Sequence, residues 1–296
     1  MEKLYKATDS NSTCRGYQYT PGMLHIMETG SVELCSQGFH ACRKLKNIFR
    51  YYSSPEEIWE VEGNVIAELD DKVVCDQIRL VRLITSKSLA TLAKDKNWSA
   101  RRAAARNSNT PLEALVALAE DEDSDVRLAV ARNINTPLNV LVILAKDKNW
   151  GIRLTVVKNA NTPSKVLTTL AKDEDWSVRE AVAGNANTLS KTLITLAEDK
   201  SGYVRRAAAG NVNTPSKVLV ILAGDEDIDV RWATAGNINT PPKTLTMLAG
   251  DESEYVRRAT AGNANLPLKV LTTLTKDEDN DVRDAAVETL KDRKDK

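Results

Sequence analysis

From residue 89 onward, apolar side chains recur at the three- and four-residue spacing of short helices. In "NTPLNVLVILAKD", residues 135–147, Leu141, Leu144 and Ala145 fall on one helical face. We expect Thr136 to cap the start of this helix. Pro137 then takes the first helical position, where its missing N–H costs no hydrogen bond. The segment predicts one short amphipathic helix.

A second apolar pattern precedes it in "DVRLAVARN", residues 125–133. Val126, Ala129 and Val130 face inward, which predicts a short second helix of the α or 3₁₀ type. The pair of helices repeats with a period of 26 residues, and eight repeats fit between residue 89 and the end. Because no single repeat can bury its apolar stripe alone, the repeats must stack.

These motifs carry a family resemblance. The segment "VRLAVARNINTPLNVLVILAKD", with its recurring "NxNTP", "LxxLA" and "VRxA", resembles the leucine-rich repeat variant, a relative of the HEAT-type solenoids. The resemblance covers residues 89–296 and implies an α-solenoid of eight two-helix repeats in a right-handed superhelix. It also implies a binding scaffold without a chemistry of its own. We therefore assign residues 86–296 to the solenoid.

The first 85 residues form a separate predicted domain. Short alternating runs such as "KLYKAT", "MLHIME", "IWEVEG" and "NVIAEL" predict strands, and "GFHACRKLKNIFRYY" predicts a strand end followed by a helix. This is the pattern of a small α+β domain. The segments "CRGYQYTPG" and "VELCSQGFHAC" resemble an uncharacterised module of bacteriophage and prophage proteins, with "GFHAC" as its sharpest mark.

The predicted N-terminal domain, residues 1–85, is called the head below. Three cysteines and one histidine in it could form a metal site. Cys14, Cys35, His40 and Cys42 could hold zinc, but they include no C-x₂-C pair, and their spacing matches no standard zinc pattern. The favoured interpretation is that the cysteines are buried core residues. The sequence therefore predicts no cofactor, with zinc as the alternative.

An enzymatic head is a further alternative. The order strand, helix, strand from "GFHAC" to "WEVEG" faintly resembles the core of ADP-ribosyltransferases, but no His–Tyr–Glu set can be assigned. The chain has only two histidines to act in a Ser–His–Asp or Cys–His catalytic site, and it has no glycine-rich loop that could bind a phosphate. The sequence favours a protein that is not an enzyme.

Two columns of the repeat hold the same charged residue type in every repeat, one arginine and the other aspartate. We interpret them as a structural ladder that ties a loop to the neighbouring repeat, and the alternative is a phosphate-binding row of arginines. Asparagine columns are interpreted as turn residues that satisfy backbone groups. The ladder includes Asp121, Arg127, Asp147, Arg153, Asp173 and Arg179.

Departures from the repeat mark the candidate partner-binding residues. On the outer side of the second helix, Trp232 lies between Arg206 and Arg258 of adjacent repeats. Four residues further on, glycine fills the column that begins with Arg106 and Arg132. These glycines predict either a shallow groove beside the tryptophan or simple helix ends. The glycine column contains Gly184, Gly210, Gly236 and Gly262.

The first helix has its own outer row of lysines. Such a row suits an acidic protein surface or a phosphate backbone, whereas the plain interpretation is a solvated helix face. The loops between helices are acidic, so charge is segregated, and this argues against strong nucleic-acid binding. The row consists of Lys165, Lys191, Lys217, Lys243 and Lys269.

Overall charge changes this picture little. Lys plus Arg and Asp plus Glu are both 41, so no net charge attracts the chain to nucleic acid or membrane. The N-terminus has no apolar signal region, and no aliphatic run is long enough to span a bilayer. We expect a protein of the bacterial host cytoplasm.

Together these features favour a non-enzymatic interaction protein whose solenoid binds a protein partner. The phage-type head adds the hypothesis of a phage-encoded factor that acts on a host or competitor defence protein. The first alternative is a nucleic-acid-binding HEAT-like solenoid with weak binding. The second is an ADP-ribosyltransferase-like head that the repeats direct to its target.

Overall fold

The computed structural model describes residues 1–8, 13–14, 17–21, 23–26, 39–42, 57–69, 72–83 and 86–294. Its internal contacts divide the chain into two compact units. The N-terminal compact unit holds Met1–Thr155 with Asn159–Asn161, and the C-terminal compact unit holds Val156–Lys158 with Thr162–Lys296.

The head is built on an antiparallel sheet. Its strands pair in the order β4-β7-β5-β1-β6, and β6 also pairs with β7, so that β5, β1, β6 and β7 close a ring. A separate two-stranded ribbon pairs β2 with β3. The described strands are β1 (Glu2–Thr8), β2 (Thr13–Cys14), β3 (Tyr17–Gln18), β4 (Leu24–Ile26), β5 (Phe39–Cys42), β6 (Glu57–Leu69) and β7 (Lys72–Leu83).

Alternating apolar residues of these strands fill the core of the sheet, where Leu4, Val61, Ile78 and Leu80 are fully buried. The predicted strands "IWEVEG" and "NVIAEL" are one continuous strand, β6. Its pairing with β7 changes register at three places, which are β-bulges or irregularities. The helix predicted after "GFHAC" lies outside the described residues.

Sixteen helices follow among the described residues, as two helices in each of eight repeats. Odd-numbered helices are the first helix of a repeat and even-numbered helices the second. All are α-helices, which settles the open choice for the second helix. In chain order they are α1 (Ser86–Leu92), α2 (Trp98–Arg106), α3 (Leu112–Leu118), α4 (Ser124–Arg132), α5 (Leu138–Leu144), α6 (Trp150–Lys158), α7 (Ser164–Leu170), α8 (Trp176–Gly184), α9 (Ser190–Leu196), α10 (Gly202–Gly210), α11 (Ser216–Leu222), α12 (Ile228–Gly236), α13 (Pro242–Leu248), α14 (Glu254–Ala261), α15 (Leu268–Leu274) and α16 (Asn280–Lys294).

The predicted inward faces are buried. Leu141 and Leu144 of α5 and Val126 and Val130 of α4 are at most 1% exposed. Small residues such as Ala129 bring the second helices of adjacent repeats close together. Packing of neighbouring faces, rather than the propensity of helices that are mostly seven or nine residues long, therefore stabilises the array.

The predicted role of the threonine in "NTP" is wrong. The Oγ1 of Thr136 donates to the Val130 carbonyl, so it closes the last turn of the preceding helix α4. The N-cap of α5 is Pro137, with an extended backbone and no side-chain cap. Proline therefore precedes the first helical residue. The same threonine bond recurs at Thr110, Thr162, Thr188, Thr214 and Thr240.

Arginine and aspartate columns bridge adjacent repeats. The Nε of Arg231 donates to Oδ2 of Asp251 over 2.8 Å and its Nη2 donates to Oδ1 over 3.1 Å. Its Nη1 donates to the Asp225 and Glu226 carbonyls of its own loop. The bidentate pair recurs as Arg101–Asp121, Arg127–Asp147, Arg179–Asp199, Arg205–Asp225 and Arg257–Asp277.

In these pairs the arginine side chains are 8% to 13% exposed and the aspartates 6% to 10%. The guanidinium groups are therefore occupied by structural bonds and do not present a row to phosphate. Arg153 likewise donates Nη1 to the Asp147 and Lys148 carbonyls, and Oδ1 of Asp173 accepts the Asp175 amide.

A second ladder is made by asparagine. The Nδ2 of Asn237 donates to the Ala209 and Asn211 carbonyls of the preceding repeat, and its Oδ1 accepts the Asn239 amide. Asn133, Asn159, Asn211 and Asn263 make the same set of bonds. The side chain thus satisfies backbone groups at the helix end of one repeat and the turn of the next.

Arg293 of α16 takes over this task after the last asparagine. It donates Nη1 to the Leu266 carbonyl and Nη2 to the Asn263 and Ala264 carbonyls. Between other repeats, carbonyls at these positions accept hydrogen bonds from two asparagines, such as Asn263 and Asn265. After the last repeat turn, the guanidinium of Arg293 donates to them instead.

Candidate functional site

The predicted tryptophan lies on the outer face of the second helices in the C-terminal compact unit. Trp232 of α12 is 49% exposed. Its neighbours in the same column are held in ion pairs, because Arg206 contacts Glu180 over 3.2 Å and Arg258 contacts Asp281 over 3.3 Å. Among the described residues, neither guanidinium makes a cation–π contact with the Trp232 ring. The indole is therefore an exposed apolar group between two arginines that are each paired with a carboxylate.

The glycine column leaves the surface beside Trp232 open. Gly210 and Gly236 are the last residues of α10 and α12, and a Cβ placed on either would meet no atom within 4 Å. Their backbone is not in the left-handed region, so the helix ends do not require glycine there. The space is a shallow area next to Trp232.

An aromatic pair that the sequence did not reveal lies on the same face. Trp176 stacks on Tyr203 of the next repeat with ring centroids 5.1 Å apart, and the guanidinium of Arg206 lies 5.9 Å from the Tyr203 ring centre. Arg206 thus contacts both the Tyr203 ring and the Glu180 carboxylate. Trp98 and Trp150 occupy the same repeat position as Trp176 and are 43% and 49% exposed.

The five lysines predicted on the first helices are exposed and belong to the C-terminal compact unit. Their Nζ groups make no hydrogen bond or ion pair in the part of the chain that the structure describes. Their positive charges are therefore uncompensated by close carboxylates. They are Lys165, Lys191, Lys217, Lys243 and Lys269.

A cluster of arginines distinguishes the second helices of the N-terminal compact unit. Arg102 and Arg106 lie one turn apart on α2, and Arg132 holds the position of Arg106 on α4. Burial lowers the pKa of Arg106, and the charges of Arg102 and Arg132 lower it further. Three positive charges thus lie close together on two neighbouring second helices, with Arg106 and Arg132 at the helix ends.

The candidate metal ligands can be followed only in part. Cys42 and Cys75 are buried, and Cys42 lies in β5 next to the ring-closing strand β7. Cys35 lies outside the described residues, and Cys14 and His40 belong to described strands. No group of three or more His, Cys, Asp or Glu suited to a metal is found among the residues that the structure describes. The zinc alternative stays a prediction.

The segment that resembles ADP-ribosyltransferases falls largely on residues 43–56, outside the described ranges. In the described part of the chain, no helix is long and apolar enough to cross a membrane.

These repeats define the class of the protein: a helical repeat solenoid behind a small sheet-containing head. Family models match two parts of the chain. Residues 98–123 match the leucine-rich repeat variant, and residues 2–92 match a domain of unknown function, DUF7666. The second match extends past the boundary predicted at residue 85 and includes α1.

Solved structures support the same class. One described as a leucine-rich repeat variant with a novel repetitive structural motif is 27% identical, over 69% of this chain and 81% of that one, with a TM-score of 0.56. The predicted fold class and the predicted resemblance are thereby confirmed.

Two further structures are more distant. The Escherichia coli protein YibA is 21% identical, over 70% of this chain and 93% of its own, with a TM-score of 0.45. An engineered protein is 20% identical, over 71% and 68%, with a TM-score of 0.35. No curated protein matches the chain.

Proposed function

We propose that this protein is a non-enzymatic scaffold that binds a protein partner, with Trp232 at the centre of one contact site. The observation that carries the proposal is a large aromatic side chain, 49% exposed, beside surface that its neighbouring glycines leave open. Tryptophan and arginine are the residue types most enriched among interface hot spots.

The surroundings of Trp232 favour a pre-arranged contact. Arg206 contacts both Glu180 and the Tyr203 ring, so a partner that covers Trp232 need not order it. The pair of Arg258 with Asp281 is 57% and 69% exposed and constrains Arg258 less. Interfaces gain affinity when their side chains are held in place before binding. The lysine row offers a second, basic surface for acidic groups of the same partner.

Trp232→Ala tests the site, with Trp150→Ala as the matched control because Trp150 is also a tryptophan that is 49% exposed on a second helix, in the N-terminal compact unit. A partner isolated by affinity capture should bind Trp232→Ala more weakly by about 2 kcal/mol or more. Trp150→Ala should bind normally, and both variants should keep the melting temperature of the parent. A lower melting temperature with unchanged affinity would mean that Trp232 stabilises the stack and is not a contact residue.

The head supports a narrower proposal about origin. Its "GFHAC" motif and flanking segments resemble a module of phage and prophage proteins, and on this ground we place the protein in the cytoplasm of a bacterial host. A host or competitor defence protein is then the expected partner. The test is affinity capture from bacterial lysate, followed by mass spectrometry, with the parent and with Trp232→Ala. If the variant captures the same proteins as the parent, the result would count against this proposal.

Nucleic acid is a second candidate partner because Arg102, Arg106 and Arg132 form a cluster of positive charge. Three phosphate contacts give a log–log salt slope of about −2 to −3, so binding should be weak and lost near physiological salt. Retention of single-stranded RNA or duplex DNA at about 0.15 M salt, abolished by Arg106→Glu, would replace the protein-partner proposal.

The ADP-ribosyltransferase alternative has a direct test. Incubation with labelled NAD should give neither hydrolysis nor labelled protein if the head is not an enzyme.

A further inference from the structure

An exposed apolar patch lies on the first helices α11 and α13 of the C-terminal compact unit. Ile221 is 72% exposed, Val220 on the same helix is 51% exposed, and Met247 at the position of Ile221 in the next repeat is 55% exposed. Scattered apolar residues on a surface are common, but these three lie at two adjacent positions of the first helix in two consecutive repeats. We call these three residues the Ile221 patch.

Two glycines enlarge the patch. Gly224 and Gly250 follow α11 and α13 at a position that holds Lys172 or Glu198 in earlier repeats. A Cβ at either glycine would be in ordinary contact with the backbone of its own repeat and nothing closer. A side chain would therefore fit at both positions. In the other six repeats this position holds lysine or glutamate, so only Gly224 and Gly250 leave the surface beside the patch without a charged side chain.

One edge of the patch is basic. Lys217 and Lys243 lie one helical turn before Ile221 and Met247 and share their face. Both lysines are exposed, and the described residues offer them no ion pair. Glu226 and Glu252 lie in the loops that follow these helices and contact the ladder arginines Arg205 and Arg231 over 3.7 and 3.1 Å. Because Asp225 and Asp251 already neutralise those arginines, the two glutamates leave negative charge on the loop side, whereas the two lysines carry uncompensated positive charge on the helix side.

We propose that the Ile221 patch binds an amphipathic helix of a partner protein, with an acidic flank turned toward Lys217 and Lys243. This proposal deepens the proposed function and rests on it. Neighbouring helices of a stack lie about 8–10 Å apart. Residues i and i+7 of a helix are separated by about 10.5 Å along its axis. A partner helix lying along the stack can thus place successive apolar residues on Ile221 and on Met247.

The chemistry of the patch favours this occupant over other polymers. Ile221 and Met247 would not contribute to binding a phosphate backbone, because apolar side chains neither donate hydrogen bonds nor carry charge. Methionine adapts its shape to different apolar surfaces and suits helix recognition. A membrane surface also combines anionic and apolar groups, so it is treated as an outcome of the test.

The full-length protein can be titrated into three fluorescein-labelled synthetic peptides. The first is a helix of about 18 residues with leucines at i, i+3, i+4 and i+7 spacing and glutamates along one flank, long enough to cross two repeats. The second carries lysine in place of those glutamates, and the third carries serine in place of the leucines. Fluorescence anisotropy should show a Kd of about 10–100 μM for the first peptide and at least about tenfold weaker binding for the others.

Matched variants locate the contact. Replacing Ile221→Ser together with Met247→Ser should weaken binding of the acidic peptide at least about tenfold. Val212→Ser with Ile238→Ser is the control, because these two side chains are 62% and 63% exposed in turns one repeat apart. The control should bind as the parent does, and all variants should keep the parent melting temperature.

Three outcomes would overturn the proposal: no binding of the acidic peptide up to about 500 μM, equal binding of the lysine peptide, or equal weakening by the control variant. Binding of the parent to vesicles rich in phosphatidylglycerol, lost in the Ile221 and Met247 variant while the peptide fails to bind, would assign the patch to a membrane. If binding of a captured partner is lost in Trp232→Ala but not in the Ile221 and Met247 variant, the proposed scaffold function is supported and this inference is refuted.

Discussion

The arginine–aspartate ladder makes a quantitative prediction about how strongly neighbouring repeats are joined. Arg231 is 10% exposed and Asp251 8% exposed, and the guanidinium binds both carboxylate oxygens. Arg231→Met removes the charge while it keeps most of the aliphatic stem. The Asp251 carboxylate then stays buried without its bidentate partner, and the Asp225 and Glu226 carbonyls lose a donor.

Removing one partner of a buried pair costs about 3–5 kcal/mol, most of it from the charge left uncompensated. The chain contains a matched control, because Arg283 donates Nη1 to the carbonyls of its own loop in the same way. Arg283 has no carboxylate partner among the described residues. Arg283→Met should therefore cost only the lost carbonyl bonds, about 1–2 kcal/mol.

Urea denaturation followed by circular dichroism measures both costs on the full chain. We expect Arg231→Met to lower the free energy of unfolding by at least about 2 kcal/mol more than Arg283→Met. A double variant, Arg231→Met with Asp251→Leu, should recover much of the loss because no buried charge is then left unpaired. Equal losses in the two single variants, or no recovery in the double variant, would refute the view that this bond joins the repeats.

Three further predictions follow from the same contacts. Burial alone would raise the pKa of Asp225, but hydrogen bonds from Arg205 and the Asp227 amide and the charges of Arg205 and Arg231 outweigh it and lower the pKa. Its stabilisation is therefore present above the unfolded pKa of about 3.9 and is lost as pH falls below it, and Asp225→Asn should flatten the melting temperature against pH below about 4. Asn211→Ala leaves two backbone carbonyls without their donor and should cost about 2–4 kcal/mol in urea denaturation. Asn211→Asp should be as costly because it also lacks the Nδ2 donor, and a mild effect would contradict the ladder. Arg293→Ala should speed hydrogen exchange in α15 and α16 while α12 stays protected, and unchanged exchange would mean that the cap is dispensable.

Much of the repeat region could be predicted from its periodicity. Burial of Leu141 and Val126 follows from three- and four-residue spacing, since only one helix face can meet the stack. Thr136 was misassigned because a hydroxyl between two helices can cap the end of one or the start of the next. Only the structure shows that Pro137 takes the cap position, which leaves the Thr136 hydroxyl to the Val130 carbonyl.

The candidate site could be predicted only in outline. The exposure of Trp232 followed from its column, but the stacking of Trp176 on Tyr203 joins residues of different repeats and leaves no local signal. The Ile221 patch depends on how far each side chain stands out of the stack. Exposure of that kind cannot be deduced from a helical spacing alone.

The ladder bonds also constrain how such a chain can change over evolutionary time. The guanidinium of Arg231 reaches an aspartate 20 residues ahead and the side chain of Asn237 reaches carbonyls 26 and 28 residues behind, and the recurring ladder bonds keep these separations, so they are set by the repeat frame. Duplication or loss of a whole 26-residue block re-forms every bond at the new junction. An insertion of one residue between Arg231 and Asp251 shifts donor against acceptor and breaks the register there. Recombination between whole repeats can thus alter the number of repeats freely. A small insertion within a repeat always separates a donor from its acceptor, because successive asparagine bonds together span the whole repeat.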